Sequence, residues 1–387
     1  MNKLPTKVAL CLGVALLGSN VTYANNFYAD GRTTGMGGTG VASGNYLAAS
    51  FINPALLANS QPDDGFGLLL PSIGIRAVDS DETLSHINDL QDSYDGLHGQ
   101  STQDDIDEFA KNLNALSDAK PVSVEGSAGL AIALPFDAVS VALFSQSYLN
   151  LISMADVAHV DSNDWASIEQ AYNDSTASIV GIGVMDVGVT FAKKFTFDEQ
   201  SVSVGVSPKF QQLHSFYSKS ALNDYKISDY DDVSTTENTF NIDLGLLYQW
   251  RDLSVGLSAL NLISQDIETV EVLGQTHTYK VEPHIGVGFA YQLKYFTFAA
   301  DADLNKQTRF ASVSSDDTQF VRAGVEGNLF DWAQLRLGYE HDLEGNLEDS
   351  VTAGIGLSPF GVVHLDIAGS YANETQAAVG VNLSLTL

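Results

Sequence analysis

A single cysteine, Cys11, nine prolines, and 18 basic residues among 387 are what this chain has little of. Each scarcity excludes something. Cys11 sits inside an apolar run from Val8 to Leu17 that follows Lys3 and Lys7 and precedes Val21-Thr-Tyr-Ala24. That arrangement predicts a secretory signal peptide over residues 1–24, cleaved after about Ala24, and the run is too short for a membrane-spanning helix. Leu10 stands where a lipoprotein signal needs a small residue, so Cys11 is expected to leave with the signal. The mature chain then holds no thiol for a disulfide, a thiolate-bound metal or redox chemistry. It retains 16 basic residues against 48 acidic ones, a net charge of −32. Such a surface repels nucleic acid, whose binding rests on Lys and Arg against phosphate. Past Ala24 no apolar run reaches twenty residues, which excludes a transmembrane helix. Export without a helical anchor leaves the periplasm, the outer membrane or secretion.

What is abundant is alternation. In the last stretch, Val379, Val381, Leu383, Leu385 and Leu387 share one face of a strand, and Ala378, Gly380, Asn382, Ser384 and Thr386 share the other. The pattern runs to the final residue, as in barrels whose last strand closes on the first and is read by the barrel-assembly machinery. Leu387 stands where such signals usually place an aromatic residue. Similar segments at 66–78, 122–134, 137–148, 179–195, 201–216, 237–250, 252–262, 280–293, 295–304, 318–330, 332–341, 349–358, 361–371 and 375–387 predict fourteen strands. A soluble sandwich shares that period, so the connections decide. Short turns at 135–137, 197–200, 251–252, 294, 330–331 and 358–361 alternate with long segments at 79–121, 149–178, 217–236, 263–279, 305–317 and 342–348. Strict alternation is expected when one rim faces the periplasm and the other the outside. Aromatic residues gather beside the short turns, among them Phe136, Phe197, Trp250, Tyr295, Phe330, Trp332 and Phe360, where an interfacial girdle belongs. The expected fold is therefore all-β: a transmembrane antiparallel barrel of about fourteen strands over 65–387 in the outer membrane of a Gram-negative bacterium. Helical spacing of Leu84, Ile87, Leu90, Ile106, Phe109 and Leu113, and of Trp165, Ile168 and Tyr172, predicts amphipathic helices in two outer loops.

Residues 25–64 do not alternate. Five glycines crowd 35–44, and Ser50-Phe-Ile-Asn-Pro-Ala-Leu-Leu-Ala58 comes next. Glycine permits close backbone approach, and proline suits the first turn of a short helix. A compact forty-residue segment ahead of a wide barrel predicts a plug in the lumen, which fourteen strands leave too wide for side chains to fill. Gly35-Met-Gly-Gly-Thr-Gly-Val-Ala42 and Asn53-Pro-Ala-Leu-Leu57 resemble the amino-terminal hatch of the FadL/TodX family of outer-membrane transporters. They are similar, more closely, to exported TraF-like conjugal transfer proteins. The resemblance implies a hatch in which Gly35, Gly37, Gly38, Gly40, Asn53 and Pro54 are structural. It also implies passive passage of a hydrophobic or amphipathic small molecule, or else a structural part in a conjugation or surface-export apparatus. Expected partners are outer-membrane lipid and lipopolysaccharide, reached through divalent cations on acidic loops.

Catalytic signals fail. Gly35-Met-Gly37-Gly-Thr-Gly40, with Asp63 beyond, satisfies a dinucleotide fingerprint, but no strand precedes it and Pro54 interrupts the helix such a unit would need. There is no Walker loop, His-Glu-x-x-His or nucleophile elbow. His284 and His364 fall on polar strand faces, which predicts lumenal hydrogen bonds. The acidic clusters Asp104/Asp105/Asp107/Glu108 and Asp229/Asp231/Asp232 lack calcium-loop spacing. No enzyme activity, cofactor or metal is expected.

Overall fold

The computed structural model describes residues 30–60, 65–97, 102–136, 138–160, 164–225, 234–313, 316–330 and 332–387. The signal peptide, Asp63 and the Asp229/Asp231/Asp232 cluster lie outside them. Fourteen strands form one closed antiparallel barrel. They begin with β1 (Gly67–Val78), β2 (Val122–Leu134), β3 (Ser140–Asp156), β4 (Thr176–Phe197), β5 (Gln200–Ala221), β6 (Ser234–Trp250) and β7 (Leu253–Leu260). A two-stranded excursion comes next, β8 (Gln265–Glu268) with β9 (Thr278–Val281). The barrel resumes with β10 (His284–Gln292), β11 (Phe296–Asp303), β12 (Phe320–Leu329) and β13 (Ala333–Asp342), and ends with β14 (Ser350–Leu357), β15 (Val363–Asn373) and β16 (Gln376–Thr386). Closure pairs β1 with β16 from Gly67 opposite Thr386 to Val78 opposite Gln376. All fourteen expected strands are present.

The two faces follow the period of two. On β6, Phe240, Leu244 and Leu246 are exposed, while Asn241, Asp243 and Leu247 are buried in the lumen. On β14, Val351 and Ile355 are exposed and Thr352 is buried. Such an outward apolar band is what lipid requires of a spanning barrel. At the short-turn rim Phe136, Phe197, Trp250, Tyr295, Phe330 and Trp332 are exposed. Arg251 lies 5.6 Å from the Trp250 ring and Lys294 lies 4.9 Å from that of Tyr295, cation over aromatic face at the level of an interface. The side chain of Phe360 is outside the described set. No described helix is long and apolar enough to cross a membrane.

Strand lengths depart from the sequence reading on one side of the barrel. β4 and β5 each have 22 residues and β3 has 17, whereas about 9–11 suffice to span the hydrocarbon. The excess rises beyond the long-loop rim. There Tyr148, Leu149, Leu151 and Ile152 are all buried, so the strand is covered on both faces and the alternation that reveals strands disappears. The covering comes from α3 (Thr83–Gly96), α4 (Gln103–Ser117) and α5 (Trp165–Asp174), the helices expected in the loops. Two shorter helices, α1 (Gly31–Gly35) and α2 (Ala49–Ile52), precede the barrel. Tyr94, Phe109, Trp165 and Tyr172 stack between α3, α4 and α5 with ring centroids 4.6–6.3 Å apart. Ile267, Tyr279 and Phe310 extend the same apolar cluster under the β8–β9 hairpin. These helices therefore pack on one another and on the raised wall.

Candidate functional site: the lumen and the segment within it

Residues 30–60 touch strands on every side of the barrel and so lie inside it. Asp30 caps α1 by accepting from the Thr33 amide at 2.5 Å. The Gly31 amide donates to Asn382 Oδ1 on β16 at 2.8 Å. Arg32 pairs with Glu326 on β12 at 3.1 Å. Past α1 the chain turns at Gly37 and Gly38, with φ of 69° and 81°, a region that other residues enter with strain. The Gly37 amide donates to Thr352 Oγ1 at 3.0 Å, and that hydroxyl donates to the Gly35 carbonyl at 3.1 Å. The amides of Gly40 and Val41 both donate to one oxygen of Asp301, at 2.7 and 2.9 Å. Asn53 is fully buried. Its Nδ2 donates to the carbonyls of Val41 and of Leu246 on β6, and its Oδ1 accepts from the Ala55 amide, opening the 3₁₀ turn Pro54–Asn59. Ser50, Thr190 and Ser207 join hydroxyl to hydroxyl at 2.6 and 2.8 Å.

The six residues singled out from the sequence are thus gathered in one place, each against the wall or its neighbours. Gly35 meets Gly354 and Ala368, Gly38 meets the Arg322 side chain, and Gly40 packs under Ile52. What the sequence did not single out is the wall's half of this contact. A methyl group on Gly245 would fall 2.1 Å from Asn53 Oδ1; one on Gly205 would fall 2.3 Å from the Pro54 carbonyl carbon, and one on Gly324 2.3 Å from the Met36 oxygen. All three lie on inward strand faces, so a recurrence of glycine on those faces was the available signal.

Between this segment and the loops the lumen is charged. Arg309 meets Glu125 at 2.7 Å and Glu125 meets Arg76 at 3.6 Å; Arg76 meets Glu340 at 2.6 Å and Glu340 meets Arg322 at 3.3 Å. Arg322 then meets Asp303 at 2.8 Å, and Asp303 meets His284 at 3.0 Å. Arg76 is on β1 and Glu340 on β13, with three strands between them in the wall, so their bond crosses the lumen as a chord. The charges border a cavity of about 120 Å³ that also touches Gly38, Val41 and Phe51. Lower down, Lys209 bridges Asp186 and Asp243 at 3.0 and 3.1 Å, all three groups buried. His364 meets Thr386 Oγ1 at 3.0 Å.

In the loop between β11 and β12, Asp316 is buried and one of its oxygens accepts from the Phe310 amide. Burial pushes its carboxyl up to about 6. Asp105 is spent on the α4 capping box with Thr102, which holds its carboxyl below the usual range. Among the described residues no group of three or more His, Cys, Asp or Glu is placed to hold a metal.

The profile described as "F plasmid transfer operon, TraF, protein" matches residues 50–303. No curated protein matches. Among solved structures, the toluene transporter TbuX of Ralstonia pickettii is similar at a TM-score of 0.53 and 14% identity, over 95% of this chain and 98% of that one. The FadL homologue of Pseudomonas aeruginosa gives 0.51 and 11%, over 95% and 99%. The CymD monoaromatic hydrocarbon channel gives 0.51 and 10%, over 94% and 98%. At such identities the likeness is one of fold alone. Because its profile covers well over half of the sequence, the chain belongs to the family described as F plasmid transfer operon, TraF, protein.

Proposed function

We propose that this chain is an outer-membrane channel of FadL-type architecture, exported by residues 1–24 and closed by a hatch formed from 25–64. Through it a small hydrophobic or amphipathic molecule passes without energy input. The observation that carries this reading is the placement of residues 30–60 inside a closed barrel whose outer face is apolar. The neighbours named as toluene and hydrocarbon channels support the substrate class. The charged cavity beside Phe51 and Ile52 favours an amphipathic molecule over a bare hydrocarbon. The C-terminal strand is the segment read by the assembly machinery, and the acidic loops face lipopolysaccharide across bridging divalent cations.

Deleting residues 28–60 tests the hatch. The barrel is expected to assemble, with a heat-dependent gel shift, and to conduct strongly in planar bilayers because the emptied lumen holds water. An assembled deletion variant with unchanged conductance would remove the hatch from the account. A second reading is a structural outer-membrane part of a conjugal transfer or surface-export apparatus. The filled lumen and the family description favour it. Loss of plasmid transfer on gene deletion, restored by a variant whose lumen is sealed, would select that reading.

A further inference from the structure

A second cavity, of about 40 Å³, lies outward of the first, bordered by Lys120, Asn150, Asp316 and Asn346. Three residues border both spaces: Glu125, Arg309 and Thr318. Glu125 and Arg309, bonded at 2.7 Å, therefore belong to the partition between the loops and the chamber over the hatch. Around the outer space three buried polar atoms have no hydrogen-bond partner within the protein: Asn150 Oδ1, Asp316 Oδ1 and Arg309 Nε. Their residues are 1%, 6% and 9% exposed. His284 Nδ1 and Asp301 Oδ1 are in the same condition on residues of the inner chamber. Buried donors and acceptors are satisfied in native proteins, by water or a polar ligand where no protein group serves. A hydrocarbon would leave every one of them unpaired.

We propose that the two spaces form a hydrated antechamber for small hydrogen-bonding solutes, and that the Arg309–Glu125 pair is the gate dividing it. The size suits a solute equivalent to a few water molecules. Four carboxylates, Glu125, Asp301, Asp303 and Glu340, face three guanidinium groups in the inner chamber, so a neutral or cationic solute is preferred to an anion. The gate is local. Arg309 comes from the segment after β11 and Glu125 from β2; the Arg309 carbonyl and the Ala311 amide are bonded to β9, so the pair opens by rotation of the Arg309 side chain, without disturbing the wall. This inference goes beyond the channel reading and takes from it only the direction of access.

The only cysteine in the chain is Cys11, so a single thiol can be placed at will. Ser370→Cys puts one in the inner chamber. Intact cells receive methanethiosulfonate reagents bearing either trimethylammonium or sulfonate, and modification is timed. Slow modification is expected with the gate intact, and a rise of about tenfold in Arg309→Ala and Glu125→Gln backgrounds. With each rate divided by that reagent's rate toward a small free thiol, the cationic reagent is expected to lead in each. Equal rates with and without the pair, or a faster sulfonate reagent, would overturn the gate. Leu273→Cys, at an exposed hairpin tip, separates the two readings. If that thiol stays unlabelled on cells, the orientation has failed, and the same comparison on purified protein in detergent still decides the gate. Heat-shifted mobility of each variant shows that it has assembled, and Glu125→Gln serves if Arg309→Ala does not.

Discussion

A methyl group added to Gly338 of β13 would lie 2.1 Å from the amide nitrogen of Gly37. Wall and inserted segment meet there backbone to backbone, with no side chain between them. The contact holds the turn at Gly37 and Gly38, whose positive φ angles are themselves glycine conformations. The segment is thus seated on the wall by missing atoms as much as by hydrogen bonds.

Gly338→Val is accordingly expected to lift Met36–Gly38 from the wall while leaving the barrel assembled. Bilayer conductance should rise toward that of the 28–60 deletion. Gly369→Val is the control, because its nearest neighbour would be 3.6 Å away, an ordinary contact. Equal conductance in the two variants would mean that the seat at Gly338 does not hold the segment.

Charge on the lipid-facing side has a different cost from charge in water. Ile367, in the middle of β15, is exposed on the outer face. Ile367→Lys should destabilise the barrel by about 2–4 kcal/mol at mid-membrane depth. Leu273→Lys, at the tip of the β8–β9 hairpin, should be near neutral. Urea unfolding in lipid vesicles reads both.

Lys209 stands between Asp186 and Asp243 with all three groups buried. Lys209→Met leaves two carboxylates without their cation, and a loss of about 3–5 kcal/mol is expected. Adding Asp186→Asn and Asp243→Asn should recover much of that loss. No recovery in the triple variant would show that Lys209 acts through packing alone.

Asp316 gives the loop after β11 a pH dependence. Its folded-state carboxyl is raised to about 6 from an ordinary 3.8, so the folded loop binds this proton more tightly than the unfolded one. The stabilisation is full below about 3.8 and is lost as pH rises through about 6. Hydrogen-exchange protection of residues 305–318, corrected for the intrinsic exchange rate at each pH, should therefore be higher at pH 4 than at pH 7. Asp316→Asn should flatten the difference.

The sequence by itself determined the strands that face two solvents. Where one face meets lipid and the other the lumen, side chains must alternate, and the segments from β10 to β16 were legible to within a few residues. Loop helices were legible for the same reason, their period being set by one buried face. Only the tertiary structure decided what has no single inside. The upper parts of β3, β4 and β5 are covered on both faces, so Leu149 to Ile152 show no sustained apolar–polar alternation and read as the start of the long connection 149–178. The four-residue strands β8 and β9 are too short to show a period. The crowding of glycine between positions 35 and 44 announced close packing, but not that Gly245, Gly324 and Gly338 would be its counterparts. Nor could any spacing pair Arg76 with Glu340, 264 positions away. Closing the barrel brings their strands, separated by three others in the wall, to face one lumen, and a buried guanidinium must then find its carboxylate across the gap.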